Sequence, residues 1–344
     1  MQKLFKKKTK TREEILAACQ AMFQSKIRPP NSKSYPVTMI KPQVFDSSDP
    51  IAIAKHFDEE GYVVVQNVSD QQDRTNLVKF IKSINAPEAK RLGFLDVCHD
   101  DTLAQMRQNP RLYRVFADLL EDDELWVVFD RVIYQKPNDR DDHLIPHVDQ
   151  NPIGEFFGLQ GLIALRDMNA STGTLALIPK SKEFFQRYAK WATSGSYVEY
   201  QDDDLPMFIA LDLQEGDLVI WDSRTTTSRY CDYYREMDQL AMLISFMPVG
   251  NEYSRLLRVQ AFKDGTGLNW QSAGLRASGY NTSLRNTNEQ LTVLGTKLYG
   301  LVNWKESPTS DVVVIFLFAC LVIAIMMAPN CLYYFFELCK SIKW

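Results

Sequence analysis

The sequence predicts a mainly β fold with flanking helices, an antiparallel sandwich or jelly roll, followed by one C-terminal transmembrane helix. Three observations carry this. First, five short Val/Ile/Leu/Phe-rich stretches follow one another from Leu125: LWVVFDRVIYQ, FGLQGLIALRDM, GTLALIPKS, DLVIWDS and LAMLISFMPV. Strands in series, punctuated by Gly, Pro, Asn and Asp, favour two packed sheets over an alternating α/β arrangement. Second, Val312 to Ala328 is a run of seventeen residues without a charge or a strong polar group. Third, the chain of 344 residues is 45 % hydrophobic and 24 % charged, a globular composition that excludes disorder and a disulfide-rich mini-protein. Its 39 Lys+Arg against 43 Asp+Glu give a net charge of −4, which argues against a nucleic-acid partner.

Taken in order, residues 1–36 read as a basic N-terminal arm and helix. Met1–Arg12 carries six Lys/Arg and no acid, 11–28 has helical spacing, and RPPNSKSYP is a linker. No apolar stretch follows the basic arm, so a secretory signal is not expected. IAIAKHFDEEGYVVVQNV (51–68) reads as a short helix, a break at Gly61 and a β-branched strand. Residues 71–120 have helical spacing in LVKFIKSI and LYRVFADLL. After the strands, 251–262 and 287–300 read as helices, and SPTSD (307–311) as a hinge.

A bilayer core needs about 20 apolar residues, with a lower limit near 17. Pro329 and Asn330 interrupt the apolar run, and Cys331–Phe336 resume it, so the expected span is 312–336. Tyr333, Tyr334 and Trp344 suit an interfacial belt, and Lys340 and Lys343 make 337–344 a basic tail. The expectation is a single-pass C-terminal anchor in a lipid bilayer, with the large N-terminal domain in a reducing compartment. A mitochondrial, endoplasmic reticulum or internal viral membrane would each suit it. The six Cys show no CxxC pair or zinc-like spacing, in keeping with free thiols.

One pair of residues suggests metal chemistry. His147-Val148-Asp149 follows the strand at 125–136 and the polar loop KPNDRDDHLIP, at the mouth of the expected roll. Around it, PHVDQN (146–151), NASTGTLALIPKSKEFF (169–185) and GDLVIWDSRTT (216–226) resemble the phytanoyl-CoA dioxygenase-like family of iron(II)/2-oxoglutarate oxygenases. FDEEGYVVVQNV (57–68) resembles that family's N-terminal helix and strand, and DGTGLNWQ (264–271) its C-terminal tail. The resemblance covers about residues 50–275 and implies a double-stranded β-helix (jelly roll, cupin-like). Residues 276–311 would then be a helical extension and hinge.

The resemblance also implies a facial triad of two His and one carboxylate holding Fe(II), with other positions left for 2-oxoglutarate and oxygen. His147 and Asp149 match its first two members. The third is expected just after WDSR, where this chain has Thr227; the other His are His56, His99 and His143, so none follows His147. Lys182 stands where the family pattern TGxLxxxPxSH has its His, a common drift at a loop. The second departure is Gln239, where a basic residue would clamp the far carboxylate of 2-oxoglutarate. Arg229 and Arg235 lie nearby, and both are assigned to the connecting loop. Two independent losses imply an inactive oxygenase-like scaffold, an accessory subunit of a membrane complex with protein partners. The alternatives are an active membrane-bound hydroxylase of a lipid-like or protein substrate, with His143 or water as third ligand, and a lipid- or acyl-binding module without turnover.

Overall fold

Successive side chains of a strand point to opposite faces, and this alternation sorts the chain into three apolar layers. The computed structural model describes residues 35–84, 90–91, 93–95, 97–137, 145–153, 158–193, 197–231, 237–268, 277–278 and 290–305. Among them the strands are β1 (Val37–Ile40), β2 (Val44–Asp46), β3 (Tyr62–Gln66), β4 (Lys90–Arg91), β5 (Phe94–Leu95), β6 (Leu125–Val127), β7 (Val132–Gln135), β8 (His147–Val148), β9 (Leu159–Ala164), β10 (Thr174–Leu177), β11 (Val198–Glu199), β12 (Phe208–Leu211), β13 (Leu218–Asp222), β14 (Thr227–Tyr230), β15 (Gln239–Pro248), β16 (Gly267–Leu268) and β17 (Ala277–Ser278). The helices are α1 (Pro50–Glu60), α2 (Gln71–Ser83), α3 (Asp101–Arg107), α4 (Pro110–Leu120), α5 (Glu252–Asp264) and α6 (Val293–Leu298), with a 3-10 helix at Ser181–Lys190.

One sheet runs β1-β12-β10-β14-β8-β11; the other runs β2-β3-β13-β9-β15-β7-β5-β4, with β6 also beside β15. Their inner faces meet in one core, with Tyr62, Val64, Leu162, Val219 and Trp221 from the larger sheet against Leu175, Leu177 and Leu211 from the smaller. The outer face of the larger sheet, including Val63, Val65, Ile220 and Ile244, is covered by helical residues such as Phe57, Leu77, Leu112 and Phe116. The 3-10 helix covers the outer face of the smaller sheet, packing Phe185 and Tyr188 on Val148, Ala176 and Ala210. The chain is therefore mainly β with flanking helices, in a jelly-roll-like arrangement.

Local sequence explains the boundaries. Asp49 accepts a hydrogen bond from the Ala52 amide at 3.1 Å, Pro50 starts α1, and Gly61 at φ +79° ends it. The chain then enters β3, whose Tyr62–Val65 are buried on both faces. Within 71–120, the expected helical stretch divides into α2, α3 and α4. Gly93, at φ +79°, turns the intervening chain so that β5 can pair with β7.

The expected strand 125–135 is broken into β6 and β7. Val127 faces Phe246 and Val132 faces Met242, which sets five steps on one strand against four on β15. The extra residue is a bulge, and it reverses which face each side chain takes. Leu125, Val127 and Val132 thus all face the helices, while Gln135 turns into the roll. The expected helix at 287–300 is described only as Val293–Leu298. Gln108 holds this segment to α3, accepting from the Thr292 amide at 2.7 Å and donating to Gln290 O at 2.9 Å.

Gly161 sits mid-strand in β9, between β13 and β15. A Cβ there would lie 2.7 Å from Ile244 O and 2.9 Å from Phe116 Cζ. Backbone on a paired strand cannot yield as a side chain can, so Gly161→Ala is expected to destabilise the fold by about 1–3 kcal/mol, read as a lower urea midpoint at unchanged m.

Among the described residues no helix is long and apolar enough to cross a membrane. The expected span at 312–336, the basic tail and the helix at 11–28 lie outside the described residues.

Candidate functional site

The inward alternation of the smaller sheet brings the expected site together. His147 on β8 pairs directly with Thr227 on β14 and, on its other side, with Glu199 on β11. Opposed residues in antiparallel strands share a face, so all three point the same way, with Asp149 just beyond. The structure therefore sets Thr227 next to His147, at the place where the resemblance requires a second His.

The two matched ligands are held separately rather than by each other. His147 Nδ1 is 2.8 Å from Ile145 O, a contact that makes Nδ1 the donor and leaves the Nε2 lone pair facing the roll. His147 Nε2 lies 3.8 Å from Asp149 Oδ2, too far for a hydrogen bond. Asp149 Oδ2 instead accepts from Gln160 Nε2 at 2.9 Å, and Gln160 Oε1 accepts from Trp221 Nε1 at 2.8 Å. Tyr197 lies against the imidazole with ring centroids 4.7 Å apart and the planes tilted by 33°. Burial, reinforced by the Glu199 and Asp149 carboxylates, pushes the Tyr197 phenol up.

The segment leading into Thr227 is bound at each step. The Asp222 carboxylate accepts from the Arg224 amide and side chain at 2.9 Å, closing a turn. Thr225 Oγ1 donates to Gly61 O at 3.2 Å, the Thr226 amide donates to Ser181 Oγ at 2.7 Å, and Tyr188 OH meets Thr226 Oγ1 at 2.8 Å. Lys182, at the family's His position, donates from Nζ to Asp58 O at 3.2 Å, near the end of α1. There it complements the negative end of a helix.

Arg229 requires a correction. It lies within β14, not in the connecting loop, because the strand continues through Tyr230 in register with β10. Its position two residues after Thr227 turns it inward, and its guanidinium carbon sits 5.1 Å from the Phe94 ring centroid. Gln135 and Gln239 face each other across β7 and β15 in the same interior. A Cβ on Gly93 would fall 2.1 Å from Gln135 Nε2 and 2.7 Å from Arg229 Nη1, and one on Gly173 would fall 3.0 Å from Gln239 Cδ. Two amides and one guanidinium thus gather where the resemblance implies a single clamping base. Arg235 and His143 lie outside the described residues.

A facial triad requires three protein donors on one metal. His147 Nε2 and Asp149 supply two; Thr227 adds a neutral hydroxyl. Among the described residues no three His, Cys, Asp or Glu side chains converge well enough to hold a metal ion. These residues do not fit an Fe(II) triad of the family kind.

Sequence reasoning missed Gln135, Gln160, Tyr197 and Glu199. For the two glutamines a signal existed, since each is a polar residue at an alternate position of an otherwise apolar strand. β11 is two residues long and gave no pattern to read.

Residues 57–226 match the family model described as Phytanoyl-CoA dioxygenase (PhyH). Ava biosynthesis cluster protein O of Aspergillus versicolor is 28 % identical over 153 residues, 38 % of this chain and 50 % of that protein. The chain thus spans about half the length of this curated relative. GlcNAc Inducible Gene 2 of Candida albicans aligns over 86 % of both chains at 15 % identity, with a TM-score of 0.58. The epimerase SnoN, solved with Fe3+, alpha-ketoglutarate and nogalamycin RO, aligns over 58 % of this chain and 84 % of its own at 18 % identity, with a TM-score of 0.46. At these identities the structural likeness is one of fold. The chain resembles the phytanoyl-CoA dioxygenase-like family over residues 57–226.

Proposed function

We propose that the chain is a membrane-anchored, catalytically inactive oxygenase-like scaffold that serves as an accessory subunit of a membrane complex. One observation carries the loss of activity: Thr227 stands directly opposite His147, where a third metal ligand would be needed. A threonine hydroxyl is neutral and weakly basic at pH 7. Loss of partners that merely orient metal ligands costs 10–100-fold in metal affinity or activity in other proteins, and loss of a ligand itself costs more. The fold survives this loss because Asp149, Thr225 and Thr226 are tied to protein partners rather than to a metal.

The anchor rests on the apolar sequence 312–336. Purification of the full chain in mild detergent is expected to recover it in a stoichiometric assembly with other proteins. Recovery as a lone monomer would contradict the scaffold reading.

The placement of Arg229 favours one alternative, an active Fe(II)/2-oxoglutarate-dependent hydroxylase of a lipid-like or protein substrate. An inward guanidinium beside Gln135 could meet a carboxylate bidentately. That reading still needs a third metal donor.

A further inference from the structure

The chain leaves the described structure from a fixed point. Trp304 Nε1 donates to Leu125 O at 3.0 Å, its ring stacks on Tyr113 at 6.0 Å, and Lys297 Nζ donates to Trp304 O at 3.1 Å. Arg255 Nη1 reaches Gly300 O and Leu301 O, each at 3.4 Å, so the last described turn is bound to α5 as well. Lys305 and Glu252 line one cavity of about 340 Å³. The exit point and the first turn of α5 are therefore neighbours.

Residues 306–311 separate Lys305 from Val312, where the apolar run begins. Seven residue steps span at most about 25 Å when fully extended. If 312–336 crosses a bilayer, the corner bearing Lys305 lies within that distance of the hydrocarbon, and the headgroup layer fills part of the gap.

Two large apolar side chains project from the α5 surface at this corner. Tyr253 is 68 % exposed and Leu256 is 53 % exposed, three residues apart on one face. Gln260 and Lys263 continue the same exposed stripe. Isolated exposed apolar residues are ordinary; this pair differs in lying beside a short tether to an apolar span. Tyrosine suits the interface, with its ring among acyl carbons and its hydroxyl among headgroups.

We propose that the α5 face bearing Tyr253 and Leu256 rests on the surface of the bilayer that residues 312–336 enter. The inference rests on the membrane-anchored reading of that segment. The contact is apolar, not electrostatic: Glu252 is paired with Arg255 at 2.7 Å, and Asp122 and Glu124 also line the corner cavity. Anionic lipid is therefore not required. The tether supplies a high local concentration of surface, so two side chains suffice.

The test uses the full chain in phosphatidylcholine vesicles that carry a photoactivatable group at headgroup depth. Carbonate extraction reports the span alone; mass spectrometry maps the crosslinks. Labelling of the α5 peptide is expected to exceed that of the peptides bearing the exposed Ile51 and Ile153 by about tenfold, and Tyr253→Ser with Leu256→Ser should remove that excess without making the chain extractable. Carbonate-resistant chain with crosslinks confined to 312–336, or with α5 labelling unchanged in the double variant, would overturn the inference and leave the span standing. Extraction by carbonate would overturn the span, and this inference with it.

Discussion

Arg258→Ala is expected to destabilise the fold by about 3–5 kcal/mol. Arg258 is fully buried, and among the described residues no carboxylate is paired with it. Its Nη2 donates to Val127 O and to Leu298 O (3.4 Å), and its Nε donates to Tyr299 O at 3.3 Å. Leu298 O and Tyr299 O belong to the C-terminal end of α6, where carbonyls lack helical partners and a cation is favoured. The guanidinium also lies over Trp126 at 5.1 Å and Phe129 at 4.7 Å. Burial pulls its pKa down to about 9, which still leaves it a cation at pH 7.

Alanine would leave three buried carbonyls without this donor and open a space between two aromatic rings. Arg258→Lys should recover part of the loss, since an ammonium keeps the charge but cannot span the same fork. The measurement is the urea midpoint of each variant. A change below about 1 kcal/mol for alanine would show that the carbonyls find other partners.

Thr227→His is expected to raise affinity for a divalent transition metal by at least about 10–100-fold. Opposed residues on antiparallel strands have Cβ atoms about 4.5–5.5 Å apart, close enough for two imidazoles to converge on one ion. His147 already turns Nε2 toward the roll, and the Gln160 amide orients Asp149. The gain should appear in an anaerobic Mn(II) or Fe(II) titration and should vanish when His147→Ala is added. Thr227 is only 3 % exposed, so a thermal melt must accompany the titration to show that the larger ring is accommodated. A folded Thr227→His variant that binds no better than the natural chain would show that the surrounding geometry, and not one side chain, has been lost.

Much of the fold was legible because the strands carry strong patterns. The buried YVVV of β3 after Gly61, and the apolar runs of β9, β13 and β15, lie where the sequence places them. The short strands β8, β11 and β14 were not legible, since two to four residues carry no period and owe their form to tertiary pairing. That is why Arg229 was assigned to a loop. The bulge between β6 and β7 was hidden for a different reason: LWVVFDRVIYQ reads as one strand, and only the register against β15 reveals the extra residue. At the site, the family resemblance put Thr227 at the third-ligand position, and the strand pairing sets it opposite His147; Tyr197 and Glu199 depend on which strands become neighbours.

The other polar runs acquire partners. In the acidic runs at 121–124 and 202–204, three of the seven acids are ion-paired on the surface: Asp123 with Arg114 at 2.8 Å, Asp202 with Lys190 and Asp204 with Arg187. Exposed pairs of this kind contribute about 0–1 kcal/mol each, so they order loops more than they stabilise the domain.

The incomplete triad is tested most directly on the natural chain. Full-length protein is mixed anaerobically with Fe(II) and 2-oxoglutarate, its visible spectrum is recorded, and 2-oxoglutarate consumption is followed after oxygen is admitted. The expected result is no visible charge-transfer band and no consumption above a protein-free control. A clear band accompanied by consumption that His147→Ala abolishes would contradict the inactive reading and establish a metal site completed by a donor other than residue 227.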